Sequence, residues 1–161
     1  MAYSDWSLSP KKMLHGFPKL PVSWTKYLPF ATGALAFLGF LDAIYLTVEH
    51  YKNAIPPCTI AHGCETVLTS SYATIFGIPL ALIGAAFYVV ALMLLGIFLE
   101  TKKRSILTLL TLLTAAGFLV AIILVGIQAF VLHAFCQYCL LSELIDFLLF
   151  DCVWWMWRRN G

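Results

Sequence analysis

"LHAFCQYCLLSELIDFLLF", residues 132–150, decides how this chain reads. A CxxC pair, Cys136 and Cys139, opens a run that is otherwise suited to lipid. Thiol chemistry needs a thiolate and a hydrocarbon core disfavours one, so the meaning of the pair depends on what surrounds it. The whole chain of 161 residues is 61% hydrophobic and 11% charged, with a mean hydropathy of +0.89. A soluble domain carries roughly 25% charged residues. So much apolar surface cannot hide inside a soluble core of this size, which points to an integral membrane protein. A net charge of +2 is too small to suggest nucleic acid as a partner.

Working outward, four apolar spans appear at about residues 27–48, 75–99, 105–132 and 136–157. Each reaches the roughly 20 residues that a helix needs to cross the hydrocarbon core. The expected fold is therefore all-α and membrane-integral, a four-transmembrane-helix bundle. Residues 1–26 lack a compact apolar stretch with a small-residue cleavage site, and read as a cytoplasmic or interfacial N-terminal arm. The membrane domain covers 27–157 and residues 158–161 form a cytoplasmic tail. Trp24, Tyr27, Trp154, Trp155 and Trp157 suit an aromatic belt.

Basic residues set the orientation. Lys11, Lys12, Lys19 and Lys26 precede the first span, Lys102, Lys103 and Arg104 join the second to the third, and Arg158 and Arg159 close the chain. Only Lys52 falls on the other side. By the positive-inside rule both termini and the TKKR turn are cytoplasmic. The exterior side then holds the 49–74 loop and the short turn before Cys136, and with them Cys58, Cys64, Cys136 and Cys139. That side is an oxidising one, where disulfides persist. The bacterial or archaeal cytoplasmic membrane fits first, the ER membrane second.

Within the loop, Pro56 and Pro57 stop the first helix, and Gly63 permits a turn beside Cys64. In "CETVLTSSYA", Cys64, Val67, Leu68 and Ser71 share one face at helical spacing, so a short helix can lie on the bilayer as a lid. Gly77 and Pro79 suit a chain re-entering a helix. The loop alone also fits a structural Cys58–Cys64 disulfide bracing an exterior segment.

The CxxC changes the balance. Cys136 falls in a first helical turn, where free N–H groups and the helix dipole favour an anionic sulfur. Cys139 lies one turn deeper on the same face, poorly placed for a soluble protein and well placed for a lipid-soluble oxidant. Such a pair can pass electrons from an exterior thiol to something dissolved in the membrane. A four-cysteine zinc site is the alternative, but five residues between Cys58 and Cys64 exceed the usual spacing. A bond within the CxxC that serves only packing strains disulfide geometry on a regular helix. Glu143 and Asp146 continue the face of the pair. Acids inside a span usually face a bundle interior or a water path. They can supply the protons that quinone reduction consumes, or simply bond to neighbouring helices, and Asp42 in the first span poses the same choice. His133 stands three residues before the pair, within reach of a Cys136 thiolate or merely solvated. Cys152, near the far end of its span, reads as a small packing residue.

With both cysteine groups in place, the sequence resembles the vitamin K epoxide reductase family, including its bacterial homologues. Cys58 and Cys64, Ser70 six residues on, "GIPLALIGAAFY" at 77–88 and Cys136–Cys139 carry the likeness over residues 28 to about 155. The resemblance implies a helix bundle around a quinone of ubiquinone, menaquinone or vitamin K type. It implies that Cys58 exchanges disulfides with a thioredoxin-like protein, that Cys64 attacks Cys136, and that Cys139 faces the quinone, with Ser70 near it. The five-residue loop spacing matches prokaryotic-type members. Glu143 replaces the tyrosine that vertebrate members carry after the CxxC, and the quinone-contacting asparagine of those enzymes falls on Leu80. These departures favour disulfide generation over epoxide reduction. Many bacterial homologues continue into a thioredoxin-like domain; with the chain ending at Gly161, the expected thiol partner is a separate protein. The expected function is a quinone-dependent thiol oxidoreductase working with that partner and the membrane quinone pool. A non-catalytic four-span scaffold is the rival of another class.

Overall fold

The computed structural model describes residues 22–60 and 63–160, with side chains from Tyr27 onward. Most of the expected N-terminal arm, including Lys11, Lys12 and Lys19, lies outside the described residues. Its last residues are already helical, because the first helix, α1, runs Val22–Tyr51. Asn53 then takes a left-handed conformation (φ 52°) that few residues other than glycine and asparagine adopt readily. Pro56 and Pro57 follow, and their missing N–H groups prevent the helix from resuming.

Between α1 and the next long helix the described residues form only short elements. Helix α2 spans Cys64–Leu68 and buries Cys64 and Val67. A 3-10 turn at Ser71–Ala73 leads into two short strands, β1 (Thr74–Ile75) and β2 (Ile78–Pro79), paired antiparallel with Thr74 opposite Pro79. Phe76 and Gly77 form the turn between them, both with positive φ (52° and 82°), the backbone that a tight two-residue hairpin requires. The next helix, α3, therefore begins at Leu80 and runs to Thr101, later than the expected start near 75. Continuous apolar character from Ile75 hides the hairpin from a hydropathy reading.

Lys102 closes α3 in a left-handed cap, its N–H donating to the Phe98 carbonyl at 2.8 Å. Helix α4 (Arg104–Gly126) follows at once and widens into a π-helical turn over Ile127–Val131. Helix α5 spans Gln137–Arg159. Among the described residues three helical stretches are long and apolar enough to cross a membrane: Tyr27–Tyr51, Leu80–Thr101 and Arg104–Val131. Helix α5 is as long, but Glu143, Asp146, Asp151 and two terminal arginines lower its hydropathy.

α1 packs on α3 and α5, and α4 on α3 and α5, so the four enclose a common interior. In lipid, close approach of small residues replaces the hydrophobic drive of water. The Tyr88 ring occupies the space where a side chain on Gly39 would stand, and Phe87 does the same over Gly117. Ala36, Ala43, Ala85, Tyr88, Ile145 and Leu149 form the central layer. A second layer of Leu95, Phe98, Leu107, Leu110, Val153 and Met156 lies towards the Lys102–Arg104 turn. Buried threonines satisfy their hydroxyls on their own helices, as in Thr47 to the Ala43 carbonyl (2.7 Å) and Thr111 to Leu107 (2.8 Å). Apolar side chains such as Leu112, Leu119 and Ile123 point outward, as lipid-facing surface does.

Candidate functional site

Four cysteines that stand far apart in sequence meet above the central layer. Cys64, Val67 and Cys136 form one buried cluster, with Cys58 and Cys139 packed against it. Gly63 makes this possible. Its N–H donates to the Phe135 carbonyl at 3.2 Å, and a methyl group on it would stand 2.6 Å from the Phe135 nitrogen. Its φ of −102° is open to any residue, so the expected turn is not what demands glycine here. Contact between the loop and the Cys136 turn does.

Cys58 and Cys64 are joined by a disulfide, their Cα atoms 6.1 Å apart. Cys136 and Cys139 are free thiols. Cys136 caps α5, its sulfur accepting the Cys139 N–H at 3.4 Å. Exposure falls along the series: Cys58 is half-buried, whereas Cys64 and Cys136 are 1% and 0% exposed. Cys139, packed against the cluster, also lines a cavity of about 330 Å³.

The two residues inside the CxxC hold the outer loop. Gln137 Oε1 accepts the N–H groups of Thr59 (3.2 Å) and Ile60 (3.0 Å), and its Nε2 donates to the Pro57 carbonyl at 3.3 Å. The Tyr138 hydroxyl donates to that same carbonyl at 3.2 Å. Cys58 is thus flanked by backbone clamped to the start of α5. Sequence reasoning passed over both residues, because a glutamine between cysteines carries no signal of its own.

The cavity lies among α1, α3, α4 and α5, with Val67, Leu68 and Ser70 of the segment between α1 and α3 also lining it. Its walls are largely apolar. Glu143 and Asp146 line it, and one oxygen of each, Glu143 Oε2 and Asp146 Oδ1, is buried with no hydrogen-bond partner among the described residues. Buried polar atoms are normally satisfied, so two orphan oxygens on one cavity mark a place for a polar ligand or a proton. Ser70 also lines it, with its hydroxyl donating to the Val67 carbonyl at 2.7 Å. Asp42 lies elsewhere, accepting a hydrogen bond from the Ser142 hydroxyl and so joining α1 to α5. His133 is exposed at the turn, and Cys152 sits half-buried near the far end of α5.

One further residue completes the picture. Gln128, 3% exposed in the π-helical turn, accepts the Cys136 N–H on Oε1 (2.9 Å) and donates from Nε2 to Glu143 Oε1 (2.8 Å). Its signal in the sequence is a single amide in the long apolar run 119–132.

Comparison with known proteins gives the family. The model of the vitamin K epoxide reductase family matches residues 30–154. A thiol-disulfide oxidoreductase of Arabidopsis thaliana, LTO1, is 32% identical over 118 residues, covering 68% of this chain and 31% of that protein. The chain thus spans about a third of the length of that relative.

Proposed function

The chain belongs to the vitamin K epoxide reductase family, and we propose that it is a membrane enzyme passing electrons from a thiol protein to a quinone. The carrying observation is the graded series of cysteines, from half-buried Cys58 through buried Cys64 and Cys136 to Cys139 on the cavity wall. A reduced thioredoxin-like protein attacks Cys58 and leaves oxidised. Cys64, released as a thiol, then reduces a Cys136–Cys139 disulfide, and Cys64 and Cys58 rejoin when the electrons have moved inward. Thiolate attack through a mixed disulfide needs Cys64 beside both partners in turn, and its shared cluster with Cys136 supports that order.

The cavity suits a quinone head: pockets for small ligands run from about 300 Å³ and combine apolar walls with few polar groups. When bound, the quinone supplies the two-electron acceptor. Around it, Cys139 presents the reacting sulfur, Glu143 and Asp146 hold protons on their unpartnered oxygens, and α2 with the Ser70 turn closes the site as a lid. The Ser70 hydroxyl would exchange its bond to Val67 for one to the ligand. In this reading α5 is the fourth span, its acids facing inward as intramembrane acids usually do. The cysteines open to the exterior or lumenal side, and the termini with the Lys102–Arg104 turn face the cytoplasm.

Anaerobic quinone reduction, followed by ultraviolet absorbance with a reduced thioredoxin-like donor, tests the proposal. Wild type should turn over and Cys139→Ala should not. Equal rates in both, or none in either across several quinones, would favour a structural role for the cysteines.

A further inference from the structure

We propose that Gln128 is a positioning residue that fixes which oxygen of Glu143 carries a proton and ties that carboxyl to the backbone of Cys136. This deepens the quinone-reduction reading and rests on it. The Cys136 N–H can only donate, so the Gln128 atom 2.9 Å from it is the amide oxygen. The other end of the amide is therefore NH₂, a donor only, and it faces Glu143 Oε1 at 2.8 Å. An oxygen that already accepts from an amide is a poor seat for a proton. A proton on Glu143 consequently sits on Oε2, the buried oxygen with no partner among the described residues, on a residue that lines the cavity.

The backbone that presents Gln128 is specialised for this. The Leu132 N–H reaches back five residues to the Ile127 carbonyl at 2.9 Å, and the Ala134 N–H bonds the Gln128 carbonyl at 3.1 Å. The widened turn swings Gln128 inward, and single π-helical turns are frequent at functional sites. Asp146, one turn beyond Glu143, also faces the cavity, but Gln128 holds Glu143.

The step balances as follows. Two electrons and two protons leave the Cys136 and Cys139 thiols as their sulfurs join, and both pass to the quinone, giving the quinol. Glu143 delivers one of the protons from Oε2 and regains one from the thiol pair, so it is unchanged over a turnover.

The test compares wild type with Gln128→Met, which keeps length but loses both bonds, and Gln128→Asn, which is too short to reach both partners. The first readout needs no quinone: the infrared difference spectrum between the dithiol and disulfide forms of the purified protein. The Glu143 carboxyl band is identified by its loss in Glu143→Gln. Both Gln128 variants should move that band to higher frequency, because the carbonyl oxygen loses its donor. The second readout splits the reaction. Quinone reduction should fall at least about tenfold in kcat, part of the roughly 10²–10⁴-fold that a well-placed general acid contributes, with KM for the quinone unchanged. Stoichiometric oxidation of the thiol partner at Cys58–Cys64 should stay within about twofold of wild type, since that exchange uses no Glu143 proton. An unmoved band, or equal losses in both half-reactions, would overturn the inference. Gln128→Asn is the milder change and carries the test if Gln128→Met does not fold. A wild type that shows the band but reduces no quinone would count against the functional reading, not against the placement of the proton.

Discussion

Replacing Cys139 with alanine removes the sulfur on the cavity wall and leaves Cys136 in its buried place against Cys64. With no Cys139 to resolve it from the inner side, a Cys64–Cys136 disulfide should accumulate, and non-reducing peptide mapping of Cys139→Ala should recover that bond. If mapping never finds it, the relay order is wrong. Gly63 is the second sensitive position. A methyl group there meets the Phe135 nitrogen and the Ala134 side chain, so Gly63→Ala must push the loop off the Cys136 turn. Overpacking of this kind costs about 1–3 kcal/mol. The thermal midpoint should fall, and the yield of the trapped bond in a Cys139→Ala background should fall with it. The cysteines were legible in the sequence because few residue types can do thiol chemistry. Gln128 and Gln137 were not, since a glutamine gains meaning only from the backbone groups that the fold brings to its amide.

At the scale of elements, the loop that carries Cys58 is held by the first turn of α5. Gln137→Leu removes three hydrogen bonds to residues 57–60. Each such bond contributes about 1 kcal/mol, and that much accelerates local opening about fivefold. Amide exchange at Thr59 and Ile60 should therefore quicken at least about fivefold, while exchange within α3 and α4 stays as it was. Unchanged exchange at Thr59 and Ile60 would mean that the clamp holds nothing. Packing between α1 and α3 is tested at Gly39, where the Tyr88 ring leaves no room for a side chain. Gly39→Val should displace Tyr88 from the cavity wall and lower stability by about 1–3 kcal/mol, read from denaturation in detergent. The helices were readable from run length alone, as lipid demands long apolar stretches. Two features were not. Ile75, Phe76 and Ile78 of the Thr74–Pro79 hairpin run into the apolar helix that follows, so hydropathy joins the two. The π-helical turn has no compositional mark, and it decides where Gln128 points.

For the molecule as a whole, Lys102, Lys103, Arg104, Arg158 and Arg159 lie at the opposite end of the proposed bundle from Cys58, Cys64, Cys136 and Cys139, which makes orientation testable. In sealed vesicles whose exterior face points outward, a membrane-impermeant maleimide should label Cys58 after mild reduction, and a protease added outside should leave a C-terminal tag intact. Loss of the tag together with labelling of Cys58 would reverse the topology of one end. The burial of Cys136, with no exposed surface at all, has a consequence for traffic across that orientation. In the proposed orientation a small thiol outside can touch the half-buried outer bridge but not the Cys136 sulfur. Cys64 bonds one partner at a time, so the two chambers of the relay are never open together. In the proposed relay the protein works as an airlock: electrons enter as a pair and through the outer door. On that reading, the burial of Cys136 opposes direct attack on the inner pair by free small thiols.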